Sequence, residues 1–236
     1  SRIKLYKKWM PHVHVDYHEQ SYNDPYYFAP AVQPYHSLIT TWQKDFQKII
    51  GDNNVKYFDN NHLLYFRNED FDLLYPGFGD TYPIFNGALG MTYEKGGSGS
   101  GGIAVKTSAS DTLTLKERIE HHYLTGLSTV EATYQNADQV ISEFNKYFTT
   151  PYSNKKNIYQ TYIISNKNNA SKIKDIIHLL KINGIKYGFL KTKKSKSIKS
   201  AFNYTTGKTE AIQITDKDLC IPVKQDLGIL TNVLFE

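Results

Sequence analysis

The chain is poor in the residues that hold small or extracellular folds together by covalent means. It has a single cysteine, Cys220, so no disulfide can form within it, and its stability must come from a packed core. One cysteine suits a reducing compartment and an exported enzyme equally, so compartment stays open on this ground. No stretch of about 18 apolar residues occurs, and nothing reads as a membrane-spanning helix. A glycine-rich run at residues 96–102 is not followed by Gly-Lys-Ser/Thr, which excludes a P-loop and leaves a native loop. Lysines 191, 193, 194, 196 and 199 lack interleaved arginine or aromatic residues, so they read as a solvated face and not as a nucleic-acid site. With 236 residues, 40% hydrophobic and 22% charged, collagen-like, coiled-coil and wholly disordered chains are excluded as well.

What is present is unevenly spread. From residue 155 onward there are fifteen lysines against six acidic residues, a balance of +9, which leaves −4 for the first 154 residues of a chain whose net charge is +5. Both tryptophans and most of the 19 tyrosines and 12 phenylalanines fall in the acidic part, as expected where amphipathic rings build a wide, partly open cleft. A boundary is expected at residues 149–157, giving a large unit over 1–150 and a small basic α/β unit over 157–236. The first residue is serine, and residues 1–9 are basic without an apolar signal core, so the chain is expected to be cut from a longer one.

Local patterns predict α/β structure. Val13 and Val15 alternate with His14, Asp16 and His18, a short strand that places those three polar side chains on one face. Residues 21–34, with three prolines, read as a long ordered loop. Leu38, Ile39, Trp42, Phe46, Ile49 and Ile50 fall at helical spacing, and Gly51 is the expected stop. Residues 89–94 form a short strand with Glu94 at its tip. Thr114 and Glu117 make a capping box, and after an interruption near Gly126 the apolar series from Val130 to Phe148 marks a long helix. Further on, a strand at 159–165, a helix at 171–182 ended by Gly184, and β segments at 185–190 and around Phe202, Ile212, Ile221 and Val233 are expected.

Two groups of residues could carry chemistry. A histidine at the end of a strand, His18, sits where open α/β sheets bind ligands, and Asp16 on the same face could orient it. Its plain reading is a satisfied core histidine. A carboxylate ending an apolar strand, Glu94, is costly to bury unless paired or used, which makes it a candidate general base. Its plain reading is a strand-end ion pair. Tyr75, on a loop with Gly77 and Gly79, could bring a phenol donor to a reacting group, or it could pack on the core.

Residues 15–20 (VDYHEQ), 25–30 (PYYFAP), 79–83 (GDTYP), 85–94 (FNGALGMTYE) and the segment from His121-His122 to Leu127-Ser128-Thr129-Val130-Glu131 together resemble the zinc carboxypeptidase family, in particular its large bacterial members. The resemblance covers roughly residues 3–148. It implies a mixed sheet flanked by helices, one zinc ion, a peptide substrate and a secreted or periplasmic enzyme. Carried onto this sequence, it makes His18 the third zinc ligand, Glu94 the catalytic glutamate, Tyr75 the mobile tyrosine with Tyr82 as second choice, and Asp80 a residue of the substrate pocket that would favour a basic side chain.

The sequence also departs from that family. Its first two zinc ligands form a His-x-x-Glu pair, and none of the eight histidines here is followed three residues later by glutamate. The three arginines, Arg2, Arg67 and Arg118, stand in no context matching those that grip the substrate carboxylate. The expectation is a fragment that lacks the first half of its catalytic domain, partners with that half when complete, and is inactive alone. The rival reading is a noncatalytic peptide- or glycan-binding protein that uses the tyrosine-rich cleft.

Overall fold

The computed structural model describes residues 2–100, 102–153, 159–166, 170–191 and 194–236. Two compact units are present, one formed by Met10–Tyr147 and the other by Ser1–Trp9 together with Phe148–Glu236. The first helix, α1 (Arg2–Trp9), thus belongs with the C-terminal unit, where it packs against a helix of that unit. Part of the expected boundary, residues 154–157, lies outside the described residues, as do Gly101 of the glycine-rich run and Lys193 of the lysine run.

The Met10–Tyr147 unit is a mixed α/β structure. Its strands are β1 (Val13–Gln20), β2 (Tyr26–Tyr27), β3 (Val32–Tyr35), β4 (Tyr65–Phe66), β5 (Asp72–Leu73), β6 (Leu89–Gly96), β7 (Ala104–Lys106) and β8 (Thr112–Thr114). Helices α2 (Thr41–Asn60), α3 (Thr81–Ile84), α4 (Leu115–Gln135) and α5 (Ala137–Ser153) connect or follow them, and α5 continues into the second unit. The main sheet has the order β1-β6-β2-β4. In it β1 and β6 are parallel, with Val13 opposite Leu89 and His18 opposite Glu94, while β2 joins β6 antiparallel through Tyr27 and Glu94. Residues 21–34, expected as loop, contain β2 and the start of β3, because Tyr26 pairs with Tyr65 and Tyr27 has sheet partners on both sides, Phe66 and Glu94.

Because side chains alternate along a strand, β1 and β6 give the sheet two different faces. Leu89, Met91 and Tyr93 join Phe46, Ile50 and Phe58 of α2 and Ala132 of α4 in one core. Burial of each large apolar side chain there contributes about 2–3 kcal/mol. Asp16, His18, Thr92 and Glu94 lie on the other face. Helix α2 is fixed to this arrangement by the Thr40/Gln43 capping box and by the amides of Gln43 and Gln47, which donate to the carbonyls of Ile84, Ala88 and Gly90.

Two glycines expected to end or interrupt helices do neither. Helix α2 runs through Gly51, and a Cβ there would overlap the Ala29 carbonyl oxygen, so the glycine allows close packing inside the helix. Helix α4 begins at the expected capping box, with Thr114 accepting from the Glu117 N–H, and passes through Gly126 unbroken. Gly126 faces the Tyr17 hydroxyl, and the chain turns at Asn136 instead.

Three of the tyrosines expected to line a cleft lie in the core instead, while Tyr17, Tyr123 and Tyr134 border an open groove. Tyr26, Tyr27 and Tyr93 are at most 2% exposed. Two of them find partners for their hydroxyls inside the core: Tyr26 bonds to His122 Nδ1 (2.7 Å) and Thr125 (2.9 Å), and Tyr93 bonds to Thr129 (2.6 Å).

In the C-terminal unit β9 (Thr161–Ile164) pairs antiparallel with β12 (Leu219–Pro222), and β10 (Lys196–Asn203) with β11 (Lys208–Ile214). Helix α6 (Ala170–Asn183) ends at Gly184, whose φ of +73° suits glycine. Residues 185–190, expected as a strand, make only a bridge between Gly188 and Cys220. The β segment expected around Val233 is a helix, α7 (Gly228–Phe235), because Ile229, Leu230 and Val233 bury one helical face. No helix among the described residues is long and apolar enough to cross a membrane.

Candidate active site

Parallel pairing in register brings the ends of β1 and β6 together, so His18 and Glu94 are neighbours across the sheet. Glu94 sits on a strand with neighbours on both sides, and its side chain is 8% exposed, whereas that of His18 is 55% exposed. Their nearest atoms, His18 Nδ1 and Glu94 Oε1, are 3.8 Å apart. The other ring nitrogen, Nε2, lies 3.0 Å from Asp16 Oδ2, so the carboxylate two residues back on the same face fixes the ring. Glu94 Oε2 is buried and has no hydrogen-bond partner among the described residues.

Burial pushes the Glu94 carboxyl up to about 7. The facing His18 opposes that rise, and the carboxylates of Asp16, Asp80 and Glu19 add to it. An acid so placed exchanges a proton readily near neutral pH, which suits a general base that must later act as an acid.

The loop before α3 closes over this face. A Cβ at Gly79 would overlap the Asp16 carboxylate, which would have to swing aside, and a Cβ at Gly90 would overlap the Asp80 carbonyl oxygen, a backbone contact that any side chain would block. Asp80 is 6% exposed. Its Oδ1 accepts from the Thr81 N–H at the start of α3 (2.7 Å), and its Oδ2 accepts from the Thr92 hydroxyl (2.9 Å). Burial holds its carboxyl above the ordinary carboxylate value. Both oxygens are thus engaged in joining α3 to β6, and of the two carboxylates Asp16 is the more open.

The expected tyrosines lie on the same segment. Tyr75 is 59% exposed, with its ring edge-on to Phe78 at 5.0 Å and its carbonyl accepting from the Thr81 hydroxyl (2.6 Å). No hydrogen bond joins its hydroxyl to His18 or Glu94 among the described residues. Tyr82 is half-buried in α3, and burial raises its phenol.

One ion pair was not legible beforehand. Arg118 of α4, 10% exposed, donates through Nε (2.8 Å) and Nη2 to Glu19 Oε1, and through Nη1 to the Gly102 carbonyl (2.9 Å). It ties the end of β1 to the glycine-rich loop, and Glu19 accordingly points away from the face that carries His18. The separation of 99 positions between the partners offered no signal.

The zinc implied by the sequence resemblance can be tested against these donors. A catalytic zinc takes about three protein ligands and keeps one position open. Among the described residues no group of three His, Cys, Asp or Glu side chains is placed to hold a metal. His18 supplies one imidazole, with Asp16 already on one of its nitrogens. The residues present do not amount to a zinc site. Comparison with known proteins assigns no family: no family model, curated protein or solved structure matches the chain.

Proposed function

We propose that this chain carries the proton-transferring part of a peptidase site, active when further groups complete it. The observation that supports the reading is the pairing of His18 with a buried Glu94 whose carboxyl is pushed up to about 7 and whose Oε2 has no partner among the described residues. In the proposed reaction a water oxygen bonds to the substrate carbonyl carbon while Glu94 takes the water's proton. As the C–N bond breaks, Glu94 returns that proton to the amine nitrogen. Asp16 orients His18, and Tyr75, exposed on its loop, is the candidate donor to substrate. In the full-length product of its gene, Glu94→Gln should lower hydrolysis of N-blocked peptides by at least ~10²-fold without changing metal content. Unchanged turnover in that variant overturns the assignment.

The competing reading is noncatalytic binding of peptide or glycan; Tyr26, Tyr27 and Tyr93 are buried and cannot serve it, which leaves the exposed Tyr17 of β1 and Tyr123 and Tyr134 of α4. A secreted or periplasmic setting belongs to the same proposal as the peptidase activity. The basic C-terminal unit has no role in it.

A further inference from the structure

We propose that the free edge of β1 is a docking site for one extended polypeptide strand from outside the described residues, with apolar side chains at alternate positions and basic ones between them. The strand would extend the sheet and cover the groove beside α4. The proposal goes beyond the peptidase reading and does not depend on it.

β1 ends the sheet, and no strand among the described residues pairs with its outer edge. Its backbone is nonetheless fully formed for pairing. The carbonyls of His12 and Gln20 accept from Leu89 (2.8 Å) and Gly97 (3.1 Å). Alternate residues serve one partner in a parallel ladder, so the even-numbered residues face β6, and Val13, Val15, Tyr17 and Glu19 turn their N–H and C=O groups outward. Edge strands left alone are commonly blunted by lysine, proline or a bulge. β1 has none of these: it contains neither residue and pairs with β6 at eight positions without a shift.

The side chains on that edge explain the alternation expected of the partner. Val13, Val15 and Tyr17 border a groove of about 720 Å³ walled by Leu127, Val130 and Tyr134 of α4. Ile119, Tyr123, Leu127, Val130 and Tyr134 form one helical stripe, each more than 40% exposed. An apolar ligand or a helix laid on the groove would bury the outward N–H and C=O groups without partners, whereas an extended backbone satisfies them. The opposite face of the same edge carries Asp16 between His14 and His18, with Glu94 and its unpartnered Oε2 behind, so Asp16 and Glu94 are the ionisable acids of that side. A strand added there meets acid on that side, so charge complementarity calls for basic residues at its other alternate positions.

The probe is an eight-residue peptide alternating valine and lysine. By hydrogen exchange followed by NMR, it should slow the amides of Val13, Val15, Tyr17 and Glu19 by at least ~10-fold and leave the even-numbered amides of β1 unchanged. A valine–glutamate peptide should bind more weakly. Val15→Pro removes one outward donor while leaving the bonds to β6, which edge positions tolerate, and should weaken the effect at least ~10-fold. The valine–lysine peptide N-methylated at alternate amides makes the same test on the unaltered protein and should not bind. The proposal is overturned by absence of protection, by equal binding of the N-methylated peptide, or by shifts confined to α4. A chain that sediments as a dimer with those four amides already protected would assign the edge to a second copy and overturn it too.

Discussion

Asp16 and Gly79 compete for one volume: the carboxylate of the first lies where a side chain on the second would begin. That contact lets the loop before α3 seat itself on the face of β1 that carries His18.

Gly79→Ala should therefore displace Asp16 from His18 and destabilise the Met10–Tyr147 unit by about 1–3 kcal/mol, the usual cost of overpacking. Asp16→Ala in the Gly79→Ala background should recover part of that loss. A urea-unfolding double-mutant cycle measures the coupling, and strictly additive losses would show that the two residues do not share the space.

Asp80 was expected to sense a basic substrate side chain, but its oxygens are occupied in holding α3 on β6. Asp80→Ala should cost about 1–3 kcal/mol of stability, as loss of a cap and a buried acceptor does. It should lower hydrolysis of basic and aromatic peptides to the same extent. A selective loss on basic peptides would support the pocket role.

His121 supplies a pH dependence unrelated to the site. Burial, with help from the Lys95 ammonium, lowers its pKa to about 4, against the opposing pull of Glu117 and Glu120. Its Nδ1 has no partner among the described residues. At this residue the unfolded chain binds a proton near pH 6.5 and the folded one only near 4, so the contribution of His121 to stability is complete above about 6.5 and declines as pH falls toward 4. The decline amounts to at most about 3 kcal/mol. His121→Phe should flatten the urea midpoint across that window relative to wild type, and parallel pH profiles would refute the assignment.

With one imidazole at the candidate site, the chain by itself should take up no zinc at one ion per chain in a calorimetric titration, and should not hydrolyse peptides. Tight, stoichiometric zinc together with peptidase activity would mean that other side chains act as ligands.

The sequence was readable where short-range physics decides. Alternation located β1, a carboxylate at the end of an apolar run located β6, and the Thr114/Glu117 box marked the start of α4. The adjacency of His18 and Glu94 was not readable from pattern, since it depends on the parallel register of strands far apart in sequence. Gly51 and Gly126 misled for a physical reason: glycine can end a helix or let one pack closely, and only the neighbours, Ala29 and Tyr17, decide which. Tyr26 and Tyr93 misled because their hydroxyls are satisfied by threonines on a helix 99 and 36 residues away.

The two-faced pair of β1 and β6 also limits how this protein can change. Inserting or deleting one residue between Val13 and His18 would exchange the sides of every residue beyond it, sending Asp16 or His18 toward α4 and a valine or Tyr17 toward the loop that carries Gly79. The proposed chemistry and the fold would be lost in the same event. Length variation in this strand should therefore be purged as strictly as loss of His18 itself, while the glycine-rich loop after β6 has no such phase to keep.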